Sequence, residues 1–541
     1  MRTVSGMAEL VLGPVLRHVD ATSAAVWVET DAACDVEVLG TRTRTFQVGE
    51  QHFALVIVRG LTPQTSTPYG VALDGTSVWP EPGSAYPPST IRTRPVATLL
   101  FGSCRAAKAT PGALAADTIG PDALDAYAVR MRELPEREWP DWLVLLGDQV
   151  YADEPTPHIR QWLVDRRGDE EPVGEVVSFR EYAELYHESW SDPEIRWLMS
   201  TVPTSMIFDD HDVRDDWNTS DVWRAEMARK PWWRRRIRAG LASYWVYQHL
   251  GNPEPDELAG DPLYRAVLEA DGDVQTMLED FAEDADGEID GRKPVRWSYR
   301  RDFGRTRLLM IDTRNGRILE GQRLMVGDAE FEWIETNAAN ESGDLDHLLI
   351  GSSLPWLMPP VLSHLQSLNE RAAAQPGWRG RLGEKVRQGA DLEHWPSFRA
   401  SFERLARIIQ RVGTGPDAPA TICVLSGDVH HSYAARATFA RRTDSAVLQL
   451  VCSPVHNAPP RIFHLAFALS WAKPLASALR KHADRRGISP DPVRWAKVSG
   501  PHFGNSIATL RVRGRRARFV LETARAKRGL VRVADLDLGS A

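Results

Sequence analysis

The sequence predicts an α/β protein in which buried strands are covered on both faces, preceded by a small antiparallel β-sandwich. Three observations carry that reading. Seven continuous apolar runs of strand length recur after residue 98. Helical stretches separate them, as around 183–190, 225–250 and 398–412. Before residue 97, short alternating runs are broken by turn residues and show no helical period.

In the first segment the alternation is clearest at Ala25–Val28 and Phe53–Val58, with Asp20, Gly40, Gly60, Pro63 and Gly75 between the runs. That spacing suits a sandwich, and RGLTPQTSTPYGV resembles a late strand-turn of fibronectin-III-like modules. WPEPGSAYPPST (79–90) reads as a linker, so the chain divides into 1–96 and 97–541. The buried runs are TLLFGSC (98–104), WLVLLGD (142–148), TSMIFDD (204–210), RLLMIDT (307–313), HLLIGSS (347–353), TICVLSGD (421–428) and VLQLVCS (447–453). SIATLRV, Gly514 and ARFVLET form a terminal hairpin. The acidic stretch 270–290 is a solvated loop or helix without EF-hand spacing.

Composition narrows the function. With 541 residues, 43% apolar and 26% charged, the chain is not disordered. A net charge of −8 argues against a whole-chain binder of nucleic acid or anionic membrane. The closest of the four cysteines (Cys34, Cys104, Cys423, Cys452) are 29 residues apart, so there is no CxxC pair, and the low count points to a reducing compartment. No run approaches the roughly 18 apolar residues of a membrane span. The opening residues carry neither an export signal nor a twin arginine, so a cytoplasmic protein is expected. GxSxG and Gly-Lys are both absent, which excludes a nucleophile elbow and a Walker A loop.

What ends the strands is more informative. In α/β folds the carboxyl ends of strands converge on one rim, where ligands bind. Four runs end in donors: Cys104; Asp148, with Tyr151 three positions on; Asp209-Asp210-His211-Asp212; and Asp428 with His430. Taken singly, a Gly-Asp is a turn, a strand-end cysteine is filler, and an acidic cluster caps a helix. Together, carboxylates, a phenol, a thiol and two histidines on one rim repel unless cations neutralise them. A dinuclear metal site is the simplest resolution.

FGSC, GDQVYAD, DDHDVRDDWN and SGDVHHSY together resemble the PhoD-like alkaline phosphatases, a branch of the calcineurin-like metallophosphoesterases, over about 98–512. The resemblance implies a four-layer αββα core behind a fibronectin-III-like sandwich. It also implies a metal-dependent phosphomonoesterase or phosphodiesterase. Carried across, Cys104 and Gly102 stand where the superfamily has histidine and aspartate. Asp148 becomes the bridging carboxylate and Tyr151 a phenolate ligand. Asp210 and Asp428 go to the second metal, His430 to the first, and His211 protonates or steers the leaving group. Thiolate and phenolate donors favour ferric iron over magnesium. The all-oxygen set Asp148, Asp210 and Asp428 suits a hard cation. The implied pair is Fe³⁺ with Ca²⁺; manganese, magnesium and zinc are the alternatives.

Arg105 and Arg214 are candidates for gripping phosphoryl oxygens, or equally for pairing with Asp212 or Asp215. His431 reads as a second-layer or substrate-facing residue, and His456 and Asn505 as rim candidates. Trp356 and Trp395 line a groove or fill the core. PWWRRRIR (231–238) reads as an amphipathic helix with snorkelling arginines, not a nucleic-acid patch. Long segments at about 155–203, 219–300 and 355–400 are helical insertions expected to cap the site. The expected partner is a small phosphate ester, with no stable nucleic-acid partner. The competing reading is a non-catalytic binding protein with a degenerate phosphatase domain.

Overall fold

The computed structural model describes residues 7–108, 119–287, 295–340 and 342–539. All seven buried runs are strands, and they divide between two sheets. Thr98–Gly102, Trp142–Leu146 and Thr204–Ile207 are parallel neighbours in a six-stranded sheet. Thr306–Ile311, His347–Ser352, Thr421–Ser426 and Ala446–Val451 are parallel neighbours in a seven-stranded one. The terminal hairpin is Ser506–Arg513 with Arg516–Arg525, extended by a third strand, Gly529–Asp537. It joins the six-stranded sheet through Thr98–Gly102.

Pleat alternation sorts the strands' side chains. Leu308, Met310, Leu349, Leu425 and Leu450 share a core with Leu99, Phe101 and Val144 of the other sheet. Their neighbours Leu309, Ile311, Ile350 and Val424 pack on Phe331, Phe402 and Leu405, from the helices Asp328–Ala338 and Arg399–Val412. Strands buried on both faces read as unbroken apolar runs, which is why these seven were legible. The result is a mixed α/β fold with fifteen α-helices among the described residues. None of these is by itself long and apolar enough to cross a membrane.

The segment before residue 97 forms two four-stranded antiparallel sheets and a two-stranded ribbon. Leu16, Val26, Val56, Val36 and Leu73 form the core between the two sheets. The other face of the first sheet does not meet water. All eight residues of Ser23–Thr30 are buried, and Trp27 lies against Tyr247 and Trp190, ring centroids 5.3 and 6.4 Å away. The linker is pinned as well. Tyr86 stacks on Trp197, whose indole Nε1 donates to Pro87 O at 2.8 Å.

Arg17 is the strongest tie. Fully buried, it donates to Thr204 O (3.1 Å), Tyr247 O (2.7 Å), Gln248 O and Asn252 Oδ1 (3.1 Å). Burial pulls its guanidinium down to about 10.

The insertions are helical and carry core residues. Pro157–Arg167 starts on a Thr156 cap with proline at its first position, and Phe179–Trp190 on a Ser178–Glu181 capping box. Trp233–Tyr244 contains the arginine-rich run. Arg234 and Arg238 pair with Glu283 and Asp280, but Arg236 is fully buried and donates to Val176 O at 2.8 Å. The acidic stretch supplies the helix Gln275–Asp286, and its end at 288–290 lies outside the described residues. Trp356 and Trp395 are wholly buried core residues.

Replacing Arg17 by methionine removes the donor from four buried acceptors, one of which, Asn252 Oδ1, keeps the Met206 N–H, and costs about 3 kcal/mol or more in urea unfolding. Arg42→Met, which removes an exposed pair with Glu37, leaves the midpoint unchanged. Equal midpoints for the two variants would show that the buried bonds hold nothing.

Candidate metal centre

The site stands where the parallel strands of both sheets end. From the six-stranded sheet come Cys104, Asp148 and Asp209–Asp210; from the seven-stranded sheet come Asp428 and His430. Four of these residues bend into left-handed backbone: Cys104 (φ 56°), Asp148 (52°), Asp428 (63°) and His430 (50°). Each such conformation costs about 1 kcal/mol or more and persists only where the surroundings dictate it. Gly147 (φ 105°) allows the turn before Asp148, since a Cβ there would lie 2.5 Å from Asp209 Cβ. A Cβ at Gly427 would lie 2.0 Å from Ser103 Oγ.

Asp212 fixes the loops without lying in the acidic group itself. Its carboxylate accepts from the backbone N–H of Asp148 (3.0 Å) and Asp209 (2.9 Å), and from Gln248 Nε2 (3.0 Å). Burial pushes it up to about 6 against those hydrogen bonds. Gln248 belongs to a π-helical turn, Trp245–His249, whose carbonyls also receive Arg17.

Asp148, Asp209 and Asp210 each offer a donor atom, and the three atoms lie within 4.8 Å of one another. Asp148 Oδ1, Asp209 Oδ2 and Asp210 Oδ1 are buried and accept no hydrogen bond among the described residues. Burial raises all three carboxyls, and the Coulombic repulsion of neighbouring aspartates adds to it. Such oxygens fit a hard cation, which restores what burial and crowding remove.

The other donors surround this group. The Cys104 thiol is flanked by Ser103 Oγ (3.2 Å) and Ser453 Oγ (3.3 Å). Burial, then Asp148 and Asp428, drives it well above the usual thiol range. Tyr151 is raised likewise by burial, Asp148 and Cys104, and its oxygen accepts from Asn457 Nδ2 at 3.0 Å. Burial pulls His430 down to about 4, so it is a neutral donor. Burial also opposes the charge on His211, but Asp153, 2.9 Å from Nδ1, outweighs it and holds the imidazole well above its ordinary value.

Three residues were not legible as parts of the site. Arg314 is fully buried, with Nε on Asp209, Nη2 3.1 Å from Asp210 Oδ1 and 3.7 Å from Asp428 Oδ1, and Nη1 on Glu393. Glu393 also takes Arg317 at 3.0 Å. His394 Nε2 lies 2.8 Å from Asp428 Oδ2. With Arg314 it holds Asp428 below the usual carboxylate range, although burial works the other way. Arg314 lies two residues past the strand-end aspartate of RLLMIDT, so reading that strand end like the others would have found it. Glu393 and His394 sit in a loop with no such signal.

The remaining candidates lie elsewhere. Arg105 is buried against Asp122 (2.8 Å), Asp192 (3.0 Å) and Ser189. Arg214 pairs with Glu175, not with Asp212 or Asp215, because its guanidinium turns over Trp232. His456 directs both ring nitrogens at carbonyls, of Ala106 (2.6 Å) and Gly120 (3.2 Å). His431 is buried beside the site, stacked on Phe467 at 4.5 Å. Asn505 Oδ1 accepts from the Asn457 N–H at 3.1 Å.

Fold and centre define a mixed α/β phosphatase-type protein with a buried carboxylate cluster at converging strand ends. The chain belongs to the PhoD-like phosphatase family, whose model matches residues 123–484. Residues 7–91 match a domain of unknown function, DUF7800. The solved structure entitled "Structure of PhoD" aligns over 100% of this chain and 94% of its own, with a TM-score of 0.57 and 13% identity. No curated protein sequence matches the chain.

Asp148→Asn removes one buried like charge. In chelator-treated protein it is expected to raise the melting temperature, and it abolishes the further rise that added Ca²⁺ or Mn²⁺ gives the wild type. A metal-induced shift of wild-type size in the variant would show that cations bind elsewhere.

Proposed function

We propose that the chain is a metal-dependent phosphoric ester hydrolase acting on phosphate monoesters or diesters. The observation that carries this is the buried carboxylate trio Asp148, Asp209 and Asp210, with Asp148 Oδ1 and Asp209 Oδ2 lacking a hydrogen-bond donor among the described residues, in a chain of the PhoD-like family. We read the core as four-layered, αββα, with 1–96 as a fibronectin-III-like sandwich and 97–541 as the catalytic domain.

Cys104, Tyr151, Asp148 and His430 would hold ferric iron; Asp148, Asp210 and Asp428 would hold calcium, with manganese, magnesium or zinc as substitutes. Asp209, which shares the acidic group, joins them. Bound there, the cations supply Lewis-acid charge that activates water and offsets the phosphoryl group's negative charge. The chain's own residues do the rest. His211, its Nδ1 on Asp153, presents Nε2 as the proton donor to the leaving oxygen. Asp212 holds the Asp148 and Asp209 backbones in register through their N–H groups. Arg314 pairs with Asp209 and Asp210, orients them, and partly offsets the burial that raises their carboxyls. Arg105 and Arg214 are engaged by acids, so their part is to fix the surrounding loops.

Hydrolysis of bis-p-nitrophenyl phosphate and p-nitrophenyl phosphate tests the reading, with Asp148→Asn as control. Undiminished turnover in that variant refutes the site. Purified protein that is colourless and free of both iron and a second cation supports the binding-protein alternative. His211→Asn is expected to slow an alkyl phosphate ester by about 10²–10⁴-fold. It should slow p-nitrophenyl esters much less, because nitrophenolate leaves without a proton. Equal losses on both would remove His211 from the proton-donor role.

A further inference from the structure

The helix Ile462–Leu469 and its successor Lys473–Arg485 sit at the edge of the metal centre and do not bury what their sequence suggests. No residue of the first helix is buried. Ile462 is 81% exposed, Leu465 69%, Leu469 52% and Phe463 51%. Ile462, Leu465 and Leu469 follow helical spacing and so share one stripe. A different side of the helix faces inward: Phe467 stacks on His431, and His464 on Phe503 with centroids 4.0 Å apart. His431 directly follows His430, so the helix packs beside the metal centre with its apolar stripe turned away from it. Leu475 on the second helix is exposed as well.

Charge singles out the same stretch. Residues 461–486 hold six Arg or Lys side chains (Arg461, Lys473, Arg480, Lys481, Arg485 and Arg486) and one acid, Asp484, in a chain whose net charge is −8. An exposed apolar stripe bordered by basic residues is the pattern of a helix that lies in a lipid interface. The bend of 62° between the two helices, and their charge, suit a hairpin lying on a surface and not spanning it. A protein partner for the stripe would not need the basic border, whereas anionic headgroups match it.

We propose that the helix pair Ile462–Leu469/Lys473–Arg485 docks the protein on an anionic lipid surface, with Ile462, Phe463, Leu465 and Leu469 inserted at the headgroup boundary. The basic residues of the pair lie among the anionic headgroups. The centre beside His430 and His431 then lies close to the interface, where phosphate esters of amphiphiles are presented. That last consequence rests on the phosphoesterase reading; the docking itself does not.

Co-sedimentation with phosphatidylcholine vesicles, with and without phosphatidylglycerol, tests the docking without any turnover assay. The full chain is expected to pellet with the anionic vesicles and to stay in the supernatant with the neutral ones. Ile462→Ser/Leu465→Ser should weaken that partitioning about tenfold or more while keeping the wild-type melting temperature. Lys481→Gln/Arg485→Gln should weaken it too, and added salt should mimic that loss. Wild-type protein that ignores anionic vesicles, or an apolar double variant that binds them as before, overturns the proposal. So does a dimer that ignores vesicles and becomes monomeric on the apolar double substitution, since the stripe would then meet a second copy.

Discussion

The burial of negative charge at the strand ends governs this molecule. Asp148, Asp209, Asp210 and Glu393 gather, buried, where two sheets end, with the half-buried Asp428 beside them. Isolated, each would cost several kcal/mol in its ionised form. One guanidinium, Arg314, reaches four of them, and Arg317 shares Glu393. Two resident cations do not balance five carboxylates, and the imbalance appears as raised carboxyls and as oxygens without donors. The left-handed turns at Cys104, Asp148, Asp428 and His430 belong to the same constraint. Chain that must aim a donor back across a strand end cannot stay in relaxed backbone.

Support for that strained rim comes from far along the chain. Arg17, in the first strand of the N-terminal unit, holds the carbonyls of Thr204, Tyr247 and Gln248. Gln248 in turn donates to Asp212, and Asp212 collects the N–H groups of the two turns that carry Asp148 and Asp209. The N-terminal unit therefore stands in one continuous hydrogen-bonded path with the centre. Its inner sheet, packed through Trp27 on the helix Phe179–Trp190 and the π-helical turn Trp245–His249, reinforces the path with apolar burial.

This architecture explains what the sequence could disclose. Contiguous signals were readable: the seven strands, because burial on both faces leaves an unbroken apolar run, and the donors that end them, because turn and ligand are adjacent in sequence. The division of those strands into sets of three and four was not, since pairing depends on which edges meet in space. Glu393 and His394 escaped for the same reason: a Glu-His dipeptide in a loop has no local mark of the groups it will face from distant segments, whereas Arg314 had a strand end beside it that was not read for cations. Arg105 misled in the opposite direction. Its place after Cys104 suggested the rim, yet its buried guanidinium turns to Asp122 and Asp192, which lie 17 and 87 positions along the chain.

The same charge distribution dictates how an anionic substrate can enter. Two unit charges 4 Å apart interact by about 4 kcal/mol at an effective dielectric of 20, so a phosphate ester approaching the bare acidic rim is repelled by several neighbours at once. Arg314 cannot answer that repulsion, because it is wholly buried and already committed to the rim's own carboxylates. Arg105 and Arg214 are likewise bound to acids. Of the chain's own cationic groups at the rim, this leaves the His211 imidazole, itself paired with Asp153. On the proposed reading, the acidic cluster would be both the place where cations bind and the barrier that they lower for a phosphate ester.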